Sequence, residues 1–277
     1  MIDAHQHFWR LDRGDYGWLT PVLQPLYRDY LPADLEPALR RNGIQATILV
    51  QAAPTAAETR YLLGLAHAHD FVAGVVGWVD FEDAAVTETI DELAGDEKLV
   101  GLRPMIQDIA DTEWMLEEKL APAFESMIDH GLVFDALVLP RHLPALRELA
   151  ARYPELDMVL DHGAKPALKG GDLTGWKHEI AALARESRFV CKLSGLVTEA
   201  GSAEPAALRE TVEHLLECFG PERLLWGSDW PVCELVCSYD AWRATSEALL
   251  AALDAGQREL ILSETARKTY GIQATLV

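Results

Sequence analysis

The sequence predicts an α/β fold, a (β/α)8 TIM barrel formed as a single domain over residues 1–277, and three observations support this. Short apolar runs rich in β-branched residues alternate with helical patterns eight times along the chain, as expected of successive βα units. Runs such as 73–77 are apolar almost throughout, which is typical of parallel strands covered on both faces. No glycine-rich phosphate loop follows an early strand, which disfavours the alternative of an open doubly wound sheet.

The eight units can be placed along the chain by their patterns and by their start and stop signals. Pro32 and Pro205 suit the first turn of a helix, and Thr55 with Glu58 forms a capping-box pattern. Glycines that suit helix ends stand at Gly43, Gly131 and Gly220. The predicted strands lie near 2–7, 46–51, 72–79, 99–104, 132–138, 158–163, 189–195 and 224–230. The predicted helices lie at 32–42, 55–69, 83–94, 117–130, 142–152, 173–186, 205–218 and 238–254.

Composition and charge limit the partners that the chain can have. With 24 basic and 44 acidic residues the formal charge is −20, which argues against nucleic acid and anionic membranes, because both attract basic patches. No apolar run reaches the roughly 18 residues of a membrane-spanning helix, and no signal-peptide pattern opens the chain. The four cysteines form no Cys-x-x-Cys pair, and a reducing compartment explains them best. We therefore expect a cytoplasmic protein that acts on a small molecule, with a homo-oligomer left open.

Polar side chains are concentrated where the predicted strands end. His5 and His7 are two residues apart on a strand, so their side chains point the same way. In a barrel the chemistry takes place at the carboxyl ends of the strands, where unpaired polar groups would be costly if they served packing alone. The other polar or aromatic residues at these ends are Gln51, Trp78, Arg103, Asp161, His162, Lys192, Ser194, Asp229 and Trp230.

Three imidazoles and one carboxylate from these ends permit two kinds of chemistry. His5, His7, His162 and Asp229 could together bind one divalent ion. Without a metal, Asp229 could act as general base toward water while the histidines polarise a carbonyl group. A second ion would need ligands from strands 4 and 5, which lack them, so at most one metal is expected. His130 and His142, near strand 5, are expected to be surface residues.

The segments that carry these residues, taken in their order along the chain, resemble the amidohydrolase superfamily. The resemblance is in particular to its branch of L-fuconolactonase- and L-rhamnonolactonase-like sugar lactonases. The resemblance runs from residue 2 to about residue 231 and is carried by the whole set of segments, because His-x-His alone is a weak signal. The matching segments are 3–9, 16–19, 27–30, 49–52, 101–103, 160–166, 192–196 and 226–231.

The resemblance implies a hydrolase that opens a sugar-acid lactone, an aldonolactone such as L-fuconolactone, in carbohydrate catabolism. By position His5, His7, His162 and Asp229 would form the site, and Asp229 would take a proton from the attacking water and return it to the leaving alkoxide. The cofactor would be none or one divalent metal, most typically zinc. The alternatives are a metal-dependent decarboxylase or hydratase on a related barrel, and a non-catalytic barrel that binds a sugar acid.

Six further residues are predicted to bind substrate, each with a structural alternative. Arg103 and Lys192 could bind substrate hydroxyls or the developing carboxylate, although Lys192 could instead form an ion pair inside the barrel with Asp161. Gln51 could bind a sugar hydroxyl or cap a strand end. Apolar walls could come from Trp9, Trp78 and Trp230, or these rings could serve packing alone. The long aromatic loop at 8–31 is predicted to be a lid or pocket wall, or a cover that only stabilises the barrel.

Overall fold

The computed structural model describes residues 1–272, and its strands form one eight-stranded sheet in chain order. Each strand pairs in parallel with the next, and the bridge between Gln6 and Trp230 joins the first strand to the chain that follows the last. The predicted (β/α)8 barrel is confirmed. The strands are β1 Ile2–Gln6, β2 Ala46–Val50, β3 Val72–Gly77, β4 Leu99–Leu102, β5 Val133–Ala136, β6 Met158–Leu160, β7 Val190–Leu193 and β8 Leu224–Trp226.

Eleven α-helices surround the sheet in the described residues, including all eight that the sequence predicts. The last predicted helix, 238–254, is shorter than expected and ends at Leu249. Three short helices, α7, α10 and α11, were not predicted. The helices are α1 Pro32–Asn42, α2 Ala56–Ala68, α3 Val86–Ala94, α4 Ala121–Asp129, α5 Leu143–Arg152, α6 Thr174–Glu186, α7 Leu196–Ala200, α8 Pro205–Phe219, α9 Tyr239–Leu249, α10 Ala255–Glu259 and α11 Thr265–Thr269.

All eight strands end earlier than their patterns predict, and the two largest differences, in β6 and β8, lie at the candidate site. β6 was expected to reach residue 163 but ends at Leu160, and β8 was expected to reach residue 230 but ends at Trp226. Past these ends His162 and Asp229 have φ angles of 53° and 55°. That left-handed conformation cannot continue a strand, so the chain leaves the sheet and turns these side chains toward the barrel mouth.

Two local predictions need correction. His142 was expected on the surface but is fully buried, because its ring accepts a hydrogen bond from Leu139 N at 3.0 Å and caps the turn before α5. The capping box at Thr55 is only half formed. Thr55 Oγ1 accepts from Glu58 N, whereas the Glu58 carboxylate turns away to accept from the backbone amides of Ala52 and Ala53.

Among residues 1–272, none of the helices is both long enough and apolar enough to cross a membrane. The four cysteines are present as free thiols.

Candidate active site

The two histidines of β1 meet at the barrel mouth. His5 and His7 bring their Nε2 atoms to 3.2 Å from each other. The other ring nitrogen of His7, Nδ1, lies 2.8 Å from the carbonyl oxygen of Val50. Because a carbonyl oxygen only accepts hydrogen bonds, Nδ1 of His7 carries a hydrogen, and in the neutral ring Nε2 then presents a lone pair to the site.

His162 and Asp229 reach the same space through strained backbone. Left-handed φ angles are uncommon for residues other than glycine, and they persist where the surrounding structure holds them in place. Two glycines make room for the histidines. A Cβ atom on Gly195 would lie 2.6 Å from Nδ1 of His162, and one on Gly227 would lie 2.7 Å from Cβ of His5. The segments Ser-Gly after β7 and Gly-Ser-Asp after β8 therefore permit the close approach on which the site depends.

The Asp229 carboxylate faces all three imidazoles. Its Oδ1 atom lies 3.5 Å from Nε2 of His7, 3.8 Å from Nε2 of His5 and 4.0 Å from Nε2 of His162. Burial by itself would raise the pKa of this carboxyl, but the facing imidazoles, His162 foremost, hold the pKa below its usual range. Burial lowers the pKa of His162 to about 4. Near neutral pH the site therefore combines an ionised carboxylate with a neutral His162, an arrangement suited to accepting a proton from water.

The same donor atoms fit one metal ion. The nitrogens of His5 and His7 and the Asp229 oxygen are separated by 3.2, 3.5 and 3.8 Å. Tetrahedral ligands at about 2.0–2.2 Å from a zinc ion lie roughly 3.3–3.6 Å from one another. His162 can supply a fourth ligand, since its Nε2 lies near the same oxygen. Geometry and donor chemistry are thus compatible with one divalent ion.

A buried layer of charges lies beneath the site. Lys192 is fully buried and pairs with the carboxylates of Asp135 and Asp161. Arg103 also binds Asp161, through Nη1 at 3.1 Å. Tyr270 donates to Asp135 at 2.9 Å. The structure thus realises the ion-pair alternative for Lys192 and does not bring its ammonium group to the cavity. Two members, Asp135 and Tyr270, were missed by the sequence reasoning.

The pKa values of the two buried carboxyls move in opposite directions. Burial raises the pKa of Asp135 to about 6, although Lys192 opposes the shift. For Asp161, burial is outweighed by Lys192, His5 and Arg103, which hold its pKa well below the usual range. Asp161 is consequently the stably ionised partner of this layer.

A cavity of about 220 Å³ lies above the histidines. His7, Arg103, His162 and Asp229 form part of its lining. Another part of the wall is apolar and includes Trp18, whose Nε1 donates to Ala52 O at 2.7 Å. Trp18 belongs to the loop at 8–31. This loop therefore supplies part of a pocket wall, which agrees with the first of the two roles predicted for it. The remaining lining residues are Ala52, Met105, Gln107, Asp108, Leu137, Lys165 and Val232.

Five of the six residues predicted to bind substrate, including the ion-paired Lys192, lie outside this lining. Trp9 is fully buried, and its Nε1 donates to Arg28 O. Trp230 is also buried and donates to Glu234. Gln51 donates to Arg103 O at 2.8 Å, which is the strand-end capping alternative. Trp78 lines a neighbouring cavity of about 280 Å³.

Three of these side chains have their polar atoms engaged elsewhere. Backbone carbonyls accept hydrogen bonds from Trp9 and Gln51, and the Glu234 side chain accepts one from Trp230. The sequence named Trp9 from the aromatic loop, whereas Trp18 of the same loop reaches the cavity. Nothing in the residue pattern distinguishes the two rings, because the path of the loop decides which one faces inward.

With this geometry established, known proteins can be compared with the chain. The pattern of the Amidohydrolase family matches residues 2–272. The chain belongs to the amidohydrolase family.

Relatives and solved structures of this family cover almost the whole chain. An L-fucono-1,5-lactonase from Burkholderia ambifaria is 48% identical in an alignment of 251 positions that covers 89% of this chain and 86% of that protein. An L-fucono-1,5-lactonase from Burkholderia multivorans is 37% identical in an alignment of 284 positions that covers 98% of this chain and 96% of that protein. The crystal structure of an amidohydrolase from Burkholderia multivorans with bound zinc superposes with a TM-score of 0.92 at 38% identity, covering 98% of this chain and 99% of that one.

Proposed function

We propose that the protein hydrolyses an aldonolactone, and that L-fucono-1,5-lactone is its first candidate substrate. The observation that carries the proposal is the Asp229 carboxylate, which faces three imidazoles in a cavity that opens at the carboxyl ends of the strands. Two similar proteins, at 48% and 37% identity, are L-fucono-1,5-lactonases, which supports this substrate class over others that a barrel could accept.

In the proposed reaction Asp229 first accepts a proton and later donates it. It takes a proton from water as the water oxygen attacks the lactone carbonyl carbon and the carbonyl electrons move to oxygen. When the tetrahedral intermediate collapses, the ring C–O bond breaks and Asp229 returns the proton to the leaving alkoxide, giving the open hydroxy acid. Imidazole N–H groups can stabilise the oxyanion, and one such contact contributes roughly 3–4 kcal/mol in the transition state.

The proposed catalytic residues also offer a site for a metal ion. His5, His7, His162 and Asp229 would hold a divalent ion, for which we propose zinc because of the nitrogen-rich donor set and the zinc in a similar structure. When bound, such an ion would supply Lewis-acid polarisation of the carbonyl.

The cavity suits a small polar ring. About 220 Å³ is below the usual range of drug-sized pockets, which favours a single sugar ring. We propose that Trp18 provides an apolar face for this ring and that Arg103, at the cavity wall, binds a hydroxyl or the developing carboxylate. The chain has a formal charge of −20 and its cysteines are free thiols. From the charge we propose that it binds neither nucleic acid nor membrane, and from the thiols that it is a cytoplasmic enzyme.

A panel of 1,4- and 1,5-aldonolactones, followed by acid release with a pH indicator, tests the proposal. We expect turnover of L-fucono-1,5-lactone, and parallel assays with a chelator and with added zinc determine the metal requirement. Release of carbon dioxide from an aromatic acid, measured beside the panel, would favour the decarboxylase alternative. If no lactone in the panel releases acid, the proposed function is wrong.

A further inference from the structure

Lys192 makes a contact with the active site that its ion pairs do not explain. Its Nζ lies 3.1 Å from Nδ1 of His5, in addition to its contacts with Asp135 and with Asp161 Oδ1 at 3.0 Å. Lys192 and His5 are both fully buried. An ammonium group has three N–H donors and no lone pair, so each of its three contacts must provide an acceptor.

This contact selects one tautomer of His5. A hydrogen on Nδ1 would point at the ammonium donors, and the carboxylate oxygen that faces it, Asp161 Oδ1, lies at 3.5 Å. Arg103 Nη1, which is also a donor only, lies 3.4 Å from Nε2. Because this nitrogen already donates to Asp161 Oδ2 at 3.1 Å, Lys192 makes the closer donor contact with the ring. With the hydrogen on Nε2, Nδ1 accepts directly from Lys192 at 3.1 Å. We propose that Lys192 is a positioning residue that holds His5 as the Nε2–H tautomer when no metal is bound.

The consequence is a directed chain of hydrogen bonds across the site. Nε2 of His7 presents a lone pair because its Nδ1 donates to Val50 O. The Nε2–H group of His5, 3.2 Å away, can donate to that lone pair. The order is therefore Lys192 to His5, His5 to His7 and His7 to Val50. His5 therefore presents an N–H group to the active site and not a lone pair, and this group can leave His7 to donate to a negatively charged oxygen instead.

Metal binding opposes this arrangement. An ion at Nε2 of His5 needs the lone pair that the Nε2–H tautomer lacks, so the hydrogen must move to Nδ1 and be accepted by Asp161. Lys192 would then have to turn away from Nδ1. Lys192 thus weakens ion binding at a site whose donor atoms otherwise fit one. The inference holds for the free protein and does not depend on a lactone being the substrate.

The tautomer can be observed directly in the wild-type protein. We would record long-range ¹H–¹⁵N spectra of metal-stripped, ring-labelled protein, with the His5 signals assigned by their loss in His5→Asn. The expected pattern is that of a neutral ring with hydrogen on Nε2. A ring with hydrogen on Nδ1, or a doubly protonated ring, would overturn the proposal.

A second measurement tests the effect on the metal. Lys192→Met removes the donor, so His5 should move toward the Nδ1–H tautomer and the zinc affinity should rise by about tenfold or more, the usual scale for groups behind metal ligands. Zinc affinity is read by competition with a chromophoric chelator, without reference to turnover.

Lys165→Met is the matched control for charge. Lys165 lines the same cavity, and its salt bridge is with Glu199 at 3.9 Å. It should leave the His5 ring spectrum unchanged and alter zinc affinity less than Lys192→Met. Equal gains in the two variants would show an effect of charge alone and contradict the proposal, as would an unchanged affinity in Lys192→Met. If Lys192→Met does not fold, the wild-type ring spectrum decides the question by itself.

Discussion

The two sides of the barrel mouth are built differently. The side that we propose to be catalytic, called here the catalytic side, carries His5, His7, His162 and Asp229 at the ends of β1, β6 and β8. The apolar side carries Trp18, Ala52, Met105 and Leu137, which come from the long loop and from the chain after β2, β4 and β5. Among residues 1–272, the non-glycine residues with positive φ are His162, Ala164, Lys165 and Asp229.

All of that strained backbone follows β6 or β8, on the catalytic side. Strain of this kind costs roughly 1–3 kcal/mol per residue and is held by the surrounding packing. The comparison indicates that backbone strain lies on the side where His162 and Asp229 converge, while residues without such strain line the other side of the cavity. Substitutions on the catalytic side should therefore affect kcat, and those on the apolar side should affect KM or stability.

The largest expected effect is that of Asp229→Asn. The amide keeps the size of the side chain but cannot accept the proton from water, so turnover should fall by about 10²- to 10⁴-fold. Hydrolysis of L-fucono-1,5-lactone by initial rates measures it, and circular dichroism checks the fold. Asp108→Asn, in the same cavity but exposed, is the matched control and should retain most activity. Near wild-type turnover in Asp229→Asn would remove Asp229 from the role of base.

Glu58 stabilises the backbone of the apolar side, and its titration should make the stability of the protein depend on pH. Its carboxylate accepts from the amides of Ala52 and Ala53, and Trp18 binds Ala52 O. Burial raises the pKa of Glu58 from 4.5 to about 7, against the lowering effect of those amides. Because the folded-state pKa is the higher one, the stabilising contribution is fully present below about pH 4.5 and is lost as the pH rises through about 7.

The expected loss across this window is about 3 kcal/mol in the free energy of unfolding. Denaturant unfolding of wild type and Glu58→Gln between pH 4.5 and 8 measures it, and the variant should show a flatter dependence. Glu155→Gln, at an exposed carboxyl, should keep the wild-type slope. Parallel pH profiles for wild type and Glu58→Gln would show that Glu58 does not titrate in this range.

Much of the fold was predictable, because eight buried parallel strands and their amphipathic helices leave strong local patterns in the sequence. Residue types at the strand ends likewise drew attention to His5, His7, His162 and Asp229, which the structure places around one cavity mouth. Their catalytic roles stay a proposal. The sharp turns after β6 and β8 were not predicted, because the left-handed backbone conformation of His162 and Asp229 cannot be inferred from their residue types.

The remaining misses depend on contacts between distant parts of the chain. Asp135 and Tyr270 are 135 positions apart, and no local pattern connects them. Glu58 matched a capping box, but the nearby amides of Ala52 and Ala53 compete for its carboxylate once the chain after β2 folds back. Trp18 faces the cavity because its indole N–H finds Ala52 O. Each of these choices is made by tertiary packing, which overrides local preference.

Trp18→Ala should weaken substrate binding. Loss of the indole face removes apolar contact with the sugar ring, so KM should rise by about tenfold with a smaller change in kcat. Steady-state kinetics on L-fucono-1,5-lactone separates the two parameters. Trp78→Ala is the matched control, because Trp78 lines the neighbouring cavity and its loss should leave KM close to that of wild type. A fall in kcat alone in Trp18→Ala would contradict the assignment of Trp18 to the apolar side.

The smallest expected effect is that of Ser194→Ala. Ser194 lies behind the catalytic side. Ser194 Oγ is 2.8 Å from Nδ1 of His162 and is fully buried, so it fixes the ring without reaching the cavity lining. Removing one such hydrogen bond should lower kcat by about three- to tenfold and leave KM unchanged, because His162 still faces the substrate but in a less fixed orientation. Ser194→Cys, which keeps a weak donor, should recover part of kcat. A rise in KM with kcat unchanged would mean that Ser194 shapes the pocket and does not orient His162.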